Sequence, residues 1–176
     1  MSSSHAGPQE QRTPVRRATA RVMPVSPSGE VLLLCDQDPG RPGDLRWGTI
    51  GGEVDAGETH QQAAVRELFE EIGLRVGPER LTAAFHRDER EFSYDGRLYL
   101  GDSTFFGLAL PRDVEVSFEH LEEAEVGNVF EARWWTPEEV RADGRLVAPD
   151  LPEIMTLAIA AVAQHERNHE IGRGVV

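Results

Sequence analysis

The sequence predicts an α/β (α+β) fold in which one mixed β-sheet lies between helical layers. Three observations lead there. Several β-like runs surround a single, strongly punctuated helix, and two more helical segments close the chain. With 176 residues the chain is long enough to bury a substantial core without disulfides or structural metal. A sheet whose two faces are both covered by helices is the economical packing for that set of elements. The expected organisation is a disordered tail over 1–14, one domain over 15–167 and a short C-terminal tail over 168–176.

The elements follow in order. Residues 15–25 and 31–35 are β-like, separated by the turn cluster Ser26-Pro27-Ser28-Gly29. Residues 36–44 form a loop by composition. Residues 47–50 suggest a short strand ahead of Gly51-Gly52. Thr59 and Gln62 have the spacing of a capping box, and Gly73 stands where a helix stops. Two strand-like stretches, 81–92 and 98–110, are joined by the turn Tyr94-Asp95-Gly96-Arg97. An acidic loop covers 111–126, and 129–135 is strand-like again. Trp134 and Trp135 must then point to opposite faces. Thr136-Pro137-Glu138-Glu139 opens a short helix. Asp150 opens a last one, running to about His165 with Ile154, Leu157, Ala158 and Ala161 on its apolar face.

Composition narrows the function. The 18 basic and 31 acidic residues give a formal charge of −13, a surface that repels nucleic-acid polymers. It would repel a small phosphate compound too, unless bound cations reverse the local field. No apolar run approaches the roughly 20 residues of a membrane span, and the polar N-terminus lacks a secretory core. The single cysteine, Cys35, lies in an apolar run and reads as a buried, inert thiol. These features suit a reducing cytoplasm.

The segment 59–73 carries the chemistry. At 3.6 residues per turn, Ala64, Val65, Leu68, Phe69 and Ile72 form an apolar stripe. Glu67, Glu70 and Glu71 sit at i, i+3 and i+4 on the other face, where they repel one another and face the negative end of the helix dipole. Local stability does not favour that arrangement, and a hard divalent cation with its preference for oxygen ligands reverses both terms. Arg66, four residues before Glu70, is placed to orient that carboxylate. Taken alone, a charged helix face is also ordinary solvated surface.

The upstream spacing decides between these readings. Gly52, Glu58 and the run Arg66-Glu67-Leu68-Phe69-Glu70-Glu71-Ile72-Gly73-Leu74 together resemble the complete Nudix box, GX5EX7REUXEEXGU, at all nine specified positions. With the flanking strands and the later Arg133–Glu139 segment, the resemblance spans about 15–165. It implies a Nudix-type α/β/α sandwich with the box as a loop–helix–loop, and hydrolysis of a diphosphate bond in a nucleoside diphosphate linked to another moiety. The cofactor it implies is Mg²⁺ or Mn²⁺. Carried over by position, Gly52 (through its carbonyl), Glu67, Glu70 and Glu71 are the metal ligands. Arg66 orients the carboxylates, and Gly51, Glu58 and Gly73 shape the loop–helix geometry. Ile50 stands where many relatives have proline. A homodimer is an assembly common in that family.

Outside the box, the general base is open between Glu70 and an acid of the 111–126 loop: Glu119, Glu122, Glu123 or Glu125, with Glu123 taken as the catalytic candidate. Arg46, Trp47, His86 and Arg90 are the substrate-binding candidates, with Arg87 and Arg97 on the same strands, while Trp47 serves equally as a core anchor. His60, near the helix start, is a phosphate-contact candidate. Substrate markers of Nudix subgroups for ADP-ribose, coenzyme A and NADH are not apparent, leaving ADP-ribose-like compounds, nucleoside triphosphates and nucleotide sugars open. The alternatives are a Nudix-fold nucleotide sensor that does not hydrolyse its ligand, and a helical interaction protein whose acids are plain surface. The complete box favours catalysis over both.

Overall fold

A computed structural model describes residues 13–173, with side chains through Glu170. The tail expected over 1–14 lies outside the described residues except for Thr13 and Pro14, which lead into the first strand.

Strand β1 (Val15–Val25) is the axis of the sheet. It pairs in parallel along its whole length with β5 (Arg97–Ala109), from Val15 opposite Tyr99 to Val25 opposite Ala109. Strand β4 (His86–Tyr94) lies antiparallel on the far side of β5. The turn between them places Asp95 and Gly96 at φ 47° and 71°, both left-handed as a tight two-residue hairpin requires. Strand β2 (Val31–Asp36) touches β1 only where the chain turns, at Val25 and Val31. It then pairs with β3 (Arg46–Gly48) on one edge and β6 (Val129–Trp135) on the other.

The separation of β2 from β1 leaves a gap, which the glycine segment fills. Val22 N–H donates to the Ile50 carbonyl (2.8 Å), Ala20 N–H to Gly52 (3.0 Å) and Val54 N–H to Ala18 (2.9 Å). The loop before the central helix is therefore stitched into the sheet and holds a fixed position.

Alternation along the strands sorts the core into two layers. Ala20, Val22, Leu32, Leu34, Phe106 and Leu108 face helix α1 (His60–Ile72). Met23, Val25, Val31, Leu33, Cys35 and Phe105 face helices α2 (Pro137–Asp143) and α3 (Leu151–Arg173). The architecture is the α/β/α sandwich with a mixed sheet. Trp135 joins the α3 layer and is buried, while Trp134 packs on the α1 side and donates to the Arg112 carbonyl. Cys35 is buried and its thiol pKa is raised by that burial.

Three boundaries differ from expectation. The stretch from 81 makes only an isolated bridge, Leu81 to Leu108, before the continuous ladder begins at His86. Pro78–Arg80 form a 3₁₀ turn, and the Thr82 hydroxyl, not a strand ladder, accepts the Gly107 N–H. The third strand ends at Gly48, and Ile50 belongs to the segment that bridges β1. Helix α3 continues past His165 to Arg173, through most of the stretch expected as a tail. Its polar second half finds no proline, and extending a formed helix costs little once its first half is packed.

Candidate active site

Helix α1 forms where the sequence punctuates it. Thr59 accepts the Gln62 N–H and Gln62 returns a bond to the Thr59 N–H, completing the capping box. Gly73 ends the helix at φ 74°. Its burial pattern is not the simple two-faced one. Ala64, Leu68 and Ile72 are fully buried, but Phe69 and Val65 are only partly so. A second row, Ala63, Glu67 and Glu71 at i, i+4 and i+8, is buried as well. Glu67 and Glu71 are 6% and 8% exposed, so these two acids do not sit on an open polar face with Glu70.

The glycine pair explains how the row can be covered. Glu71 Oε2 accepts the Gly51 N–H at 2.7 Å. The Gly51 carbonyl accepts from Arg21 of β1, and the Gly52 carbonyl from Ala20 N–H. A Cβ on Gly51 would lie 2.1 Å from the Ala20 carbonyl, and one on Gly52 would lie 2.4 Å from Glu67 Oε1. Gly51, at φ 132° and against backbone atoms, has no room for a side chain, while at Gly52 the obstacle is the carboxylate end of Glu67. Arg21 was not singled out by sequence reasoning. It is the third arginine of β1, set near Glu71, Glu67 and Asp36, and burial lowers its pKa.

Arg66 is the organising cation. Its Nε and one terminal nitrogen hold Glu58 at 3.0 and 3.1 Å, and the other terminal nitrogen reaches Glu67 at 2.9 Å and Glu70 at 2.8 Å. A further bond to the Glu53 carbonyl (2.8 Å) ties it to the loop. Glu58 is held below its usual pKa by the Arg66 hydrogen bond, and the Arg66 pKa rises in return. Glu67 responds in the opposite direction. Burial pushes it up to about 7 although Arg66 pulls the other way. One guanidinium shared by three carboxylates does not offset the desolvation of the most buried of them.

The acidic loop supplies one residue to this group, and it is Glu125. Oxygen atoms of Glu67, Glu71 and Glu125 lie within 4.8 Å of one another. Glu123, named from sequence, is exposed and outside the group, as are Glu119 and Glu122. Glu125 and Asp36 are both raised mainly by burial, Asp36 to about 6, and Glu71 is raised well above its usual value by burial and the nearby Glu67. Three hard oxygen donors, crowded and short of positive charge, fit a divalent cation by number and chemistry. Glu70 is not in that trio. Its Oε2 is taken by Arg66, and its side chain is 22% exposed.

The remaining candidates scatter. Trp47 is 1% exposed and packs edge-on against Trp135 at 4.9 Å, so its rings belong to the core and offer no face to a base. Arg46 is exposed and paired with Asp44 at 2.7 Å. Arg90 is paired with both Asp88 (2.9 Å) and Asp150 (2.8 Å), which fastens β4 to the start of α3. His86 packs beside Phe105. Arg87 and Arg97 are exposed. Among the described residues no helix is long and apolar enough to cross a membrane.

Comparison with known proteins agrees with this layout. The NUDIX domain profile matches residues 15–156. Dihydroneopterin triphosphate diphosphatase of Escherichia coli (strain K12) is 34% identical over 84 residues, 43% of this chain and 56% of that protein. RNA pyrophosphohydrolase of Aeromonas hydrophila subsp. hydrophila is 38% identical over 79 residues, 42% of this chain and 44% of that protein. The chain thus spans about half the length of the curated relatives it matches. Among solved structures, the E. coli dihydroneopterin triphosphate pyrophosphohydrolase superposes with a TM-score of 0.59 at 23% identity, covering 82% of this chain and 94% of that one. The MutT protein from Methanosarcina mazei Go1 gives 0.54 at 18%, covering 89% and 96%. With the profile covering most of its length and the α/β/α sandwich shared with these structures, the chain belongs to the Nudix family.

Proposed function

We infer that the chain hydrolyses a diphosphate linkage in a small nucleotide-derived compound, with Mg²⁺ or Mn²⁺ as cofactor. The observation that carries this reading is the trio of buried Glu67 and Glu71 with half-buried Glu125, whose oxygens lie within 4.8 Å of one another. The family and the names of the two curated relatives, a diphosphatase and a pyrophosphohydrolase, point the same way. In this reading Glu67, Glu71 and Glu125 hold the cation, with backbone carbonyls of the Gly51-Gly52 loop beside them.

A bound divalent cation neutralises diphosphate oxygens and lowers the pKa of attacking water. The protein's own residues do the rest. Arg66 fixes Glu58, Glu67 and Glu70 in one hydrogen-bonded unit and ties it to the loop. Glu70 is the general base, because Oε2 is held by Arg66 and Oε1 is free to accept a proton from water. The Gly51-Gly52 backbone lets the phosphate-bearing substrate approach closely. The partner is a small molecule, in keeping with a net charge of −13 that repels polymers. The compartment is a reducing cytoplasm, consistent with the single buried Cys35. A homodimer is the assembly taken for it, on the family resemblance alone.

The test is a product-resolved screen of nucleoside di- and triphosphates, pterin triphosphate, dinucleoside polyphosphates and nucleotide sugars, run with Mn²⁺ or Mg²⁺ and then with chelator. Release of two phosphate-bearing products that stops on chelation supports the reading. Turnover that survives both chelation and Glu70→Gln rejects it, and binding without any product favours a sensor.

A further inference from the structure

On the α1 side of the sheet, away from the acid trio, a separate cleft of about 260 Å³ opens between the start of α1 and strands β4 and β5. Thr59, His60, Gln61, Arg87, Thr104 and Phe106 line it, with Ala84 at its edge. Arg87 and Thr104 stand directly opposite each other in the β4–β5 ladder, so their side chains share this face.

Three features give the cleft a positive, donor-rich character within an acidic protein. First, the helix start offers N–H groups without intrahelical partners. The Thr59 side chain takes only that of Gln62, which leaves those of His60 and Gln61. Second, Arg87 makes no ion pair among the described residues. The acids nearest to it on the same strand face, Glu89 and Asp102, are both engaged by Arg16 of β1. Third, Thr104 is 4% exposed, lines the cleft, and its hydroxyl makes no hydrogen bond among the described residues. The hydroxyl is not among the enclosed polar atoms that lack a partner, so it opens onto the cleft, where it can donate to a ligand.

We propose that this cleft is an anion site for a single phosphoryl group, bound by Arg87, the Thr104 hydroxyl and the His60 and Gln61 amides. The donor set is what a tetrahedral oxyanion recognises: a guanidinium, a hydroxyl and helix-start N–H groups. The volume is below the roughly 300–1,000 Å³ of sites for drug-sized ligands, so the cleft accepts a phosphoryl group or free phosphate and not a whole nucleotide. The site stands independently of the hydrolytic reading, since it shares no side chain with the acid trio.

The experiment uses the full chain in chelator, titrated with inorganic phosphate and followed by amide ¹H–¹⁵N shifts. Saturable movement of the His60 and Gln61 amides is expected at millimolar phosphate. Arg87→Gln weakens that binding about tenfold and Thr104→Val about threefold, while Thr104→Ser, which keeps the hydroxyl, retains it. Glu71→Gln leaves it unchanged. Absence of saturation at the two amides, an unaltered affinity in Arg87→Gln, or loss of the response in Glu71→Gln overturns the proposal. Arg87 is exposed, so its variant keeps the fold and the result stays readable if the buried threonine variants do not.

Discussion

The two helical layers cover the same sheet but bury different chemistry. On the α3 side, Met23, Leu33, Met155 and Ala158 are fully buried among other apolar groups, and the only buried side-chain nitrogens without partners among the described residues are the indoles of Trp47 and Trp135. On the α1 side, Ala20, Val22 and Leu68 meet a row that ends in two buried carboxylates. Burying a carboxylate short of positive charge is unfavourable, so the α1 layer holds a local cost that the α3 layer does not. Both layers bury an apolar core, and the α1 layer in addition keeps Glu67 and Glu71 in place against their desolvation.

The comparison can be broken by substitutions that act on one layer only. The largest expected effect is on turnover. Glu70→Gln, which keeps shape but removes a basic oxygen, lowers kcat by about 10²–10⁴ with little change in melting temperature. A large stability loss in that variant would mean Glu70 belongs to the scaffold. Next, Met155→Ala in the α3 layer costs about 2–5 kcal/mol of stability in denaturant unfolding. Cation affinity, read by equilibrium Mn²⁺ titration, stays as it was. A parallel loss of Mn²⁺ binding would erase the division between layers.

A smaller effect concerns pH in chelator. Glu67 ionises near pH 4.5 when unfolded and about 7 when folded. The folded state therefore prefers the protonated acid. Stability is unaffected by this group below pH 4.5 and falls as pH rises from 4.5 to about 7, by at most about 3 kcal/mol. Asp36, raised from 3.8 to about 6, adds a loss of the same sign over its own interval. Unfolding midpoints across pH 4–8 check this, and a midpoint that rises over that range contradicts it. Glu71→Gln sharpens the point, since neutralising the second buried acid raises the metal-free midpoint at pH 8. The smallest change is Thr59→Ala, which removes the cap bond to Gln62 and costs about 1 kcal/mol in thermal or denaturant unfolding.

The parts of this molecule legible in sequence are those with short-range causes. The capping box at Thr59 and Gln62, the stop at Gly73, the hairpin turn at Asp95-Gly96 and the opposed Trp134 and Trp135 each depend on a few adjacent residues and on fixed periodicity. The box spacing marked Arg66 and its carboxylates for the same reason: residues four apart on a helix are neighbours in any helix.

What only the tertiary structure decided depends on where distant segments arrive. The full-length parallel pairing of β1 with β5 joins strands about 80 residues apart, and the bonding of the glycine segment to the other edge of β1 placed Arg21 beside Gly51 and the buried acids. The path of the 111–128 loop brought Glu125, and not Glu123, to Glu67 and Glu71. Trp47 went to the core because β3 pairs with β2 and turns it towards Trp135. Periodicity fixes which face of an element a side chain occupies. What that face meets is set by the path of the whole chain, which is how two acids on the polar side of a helix came to be buried.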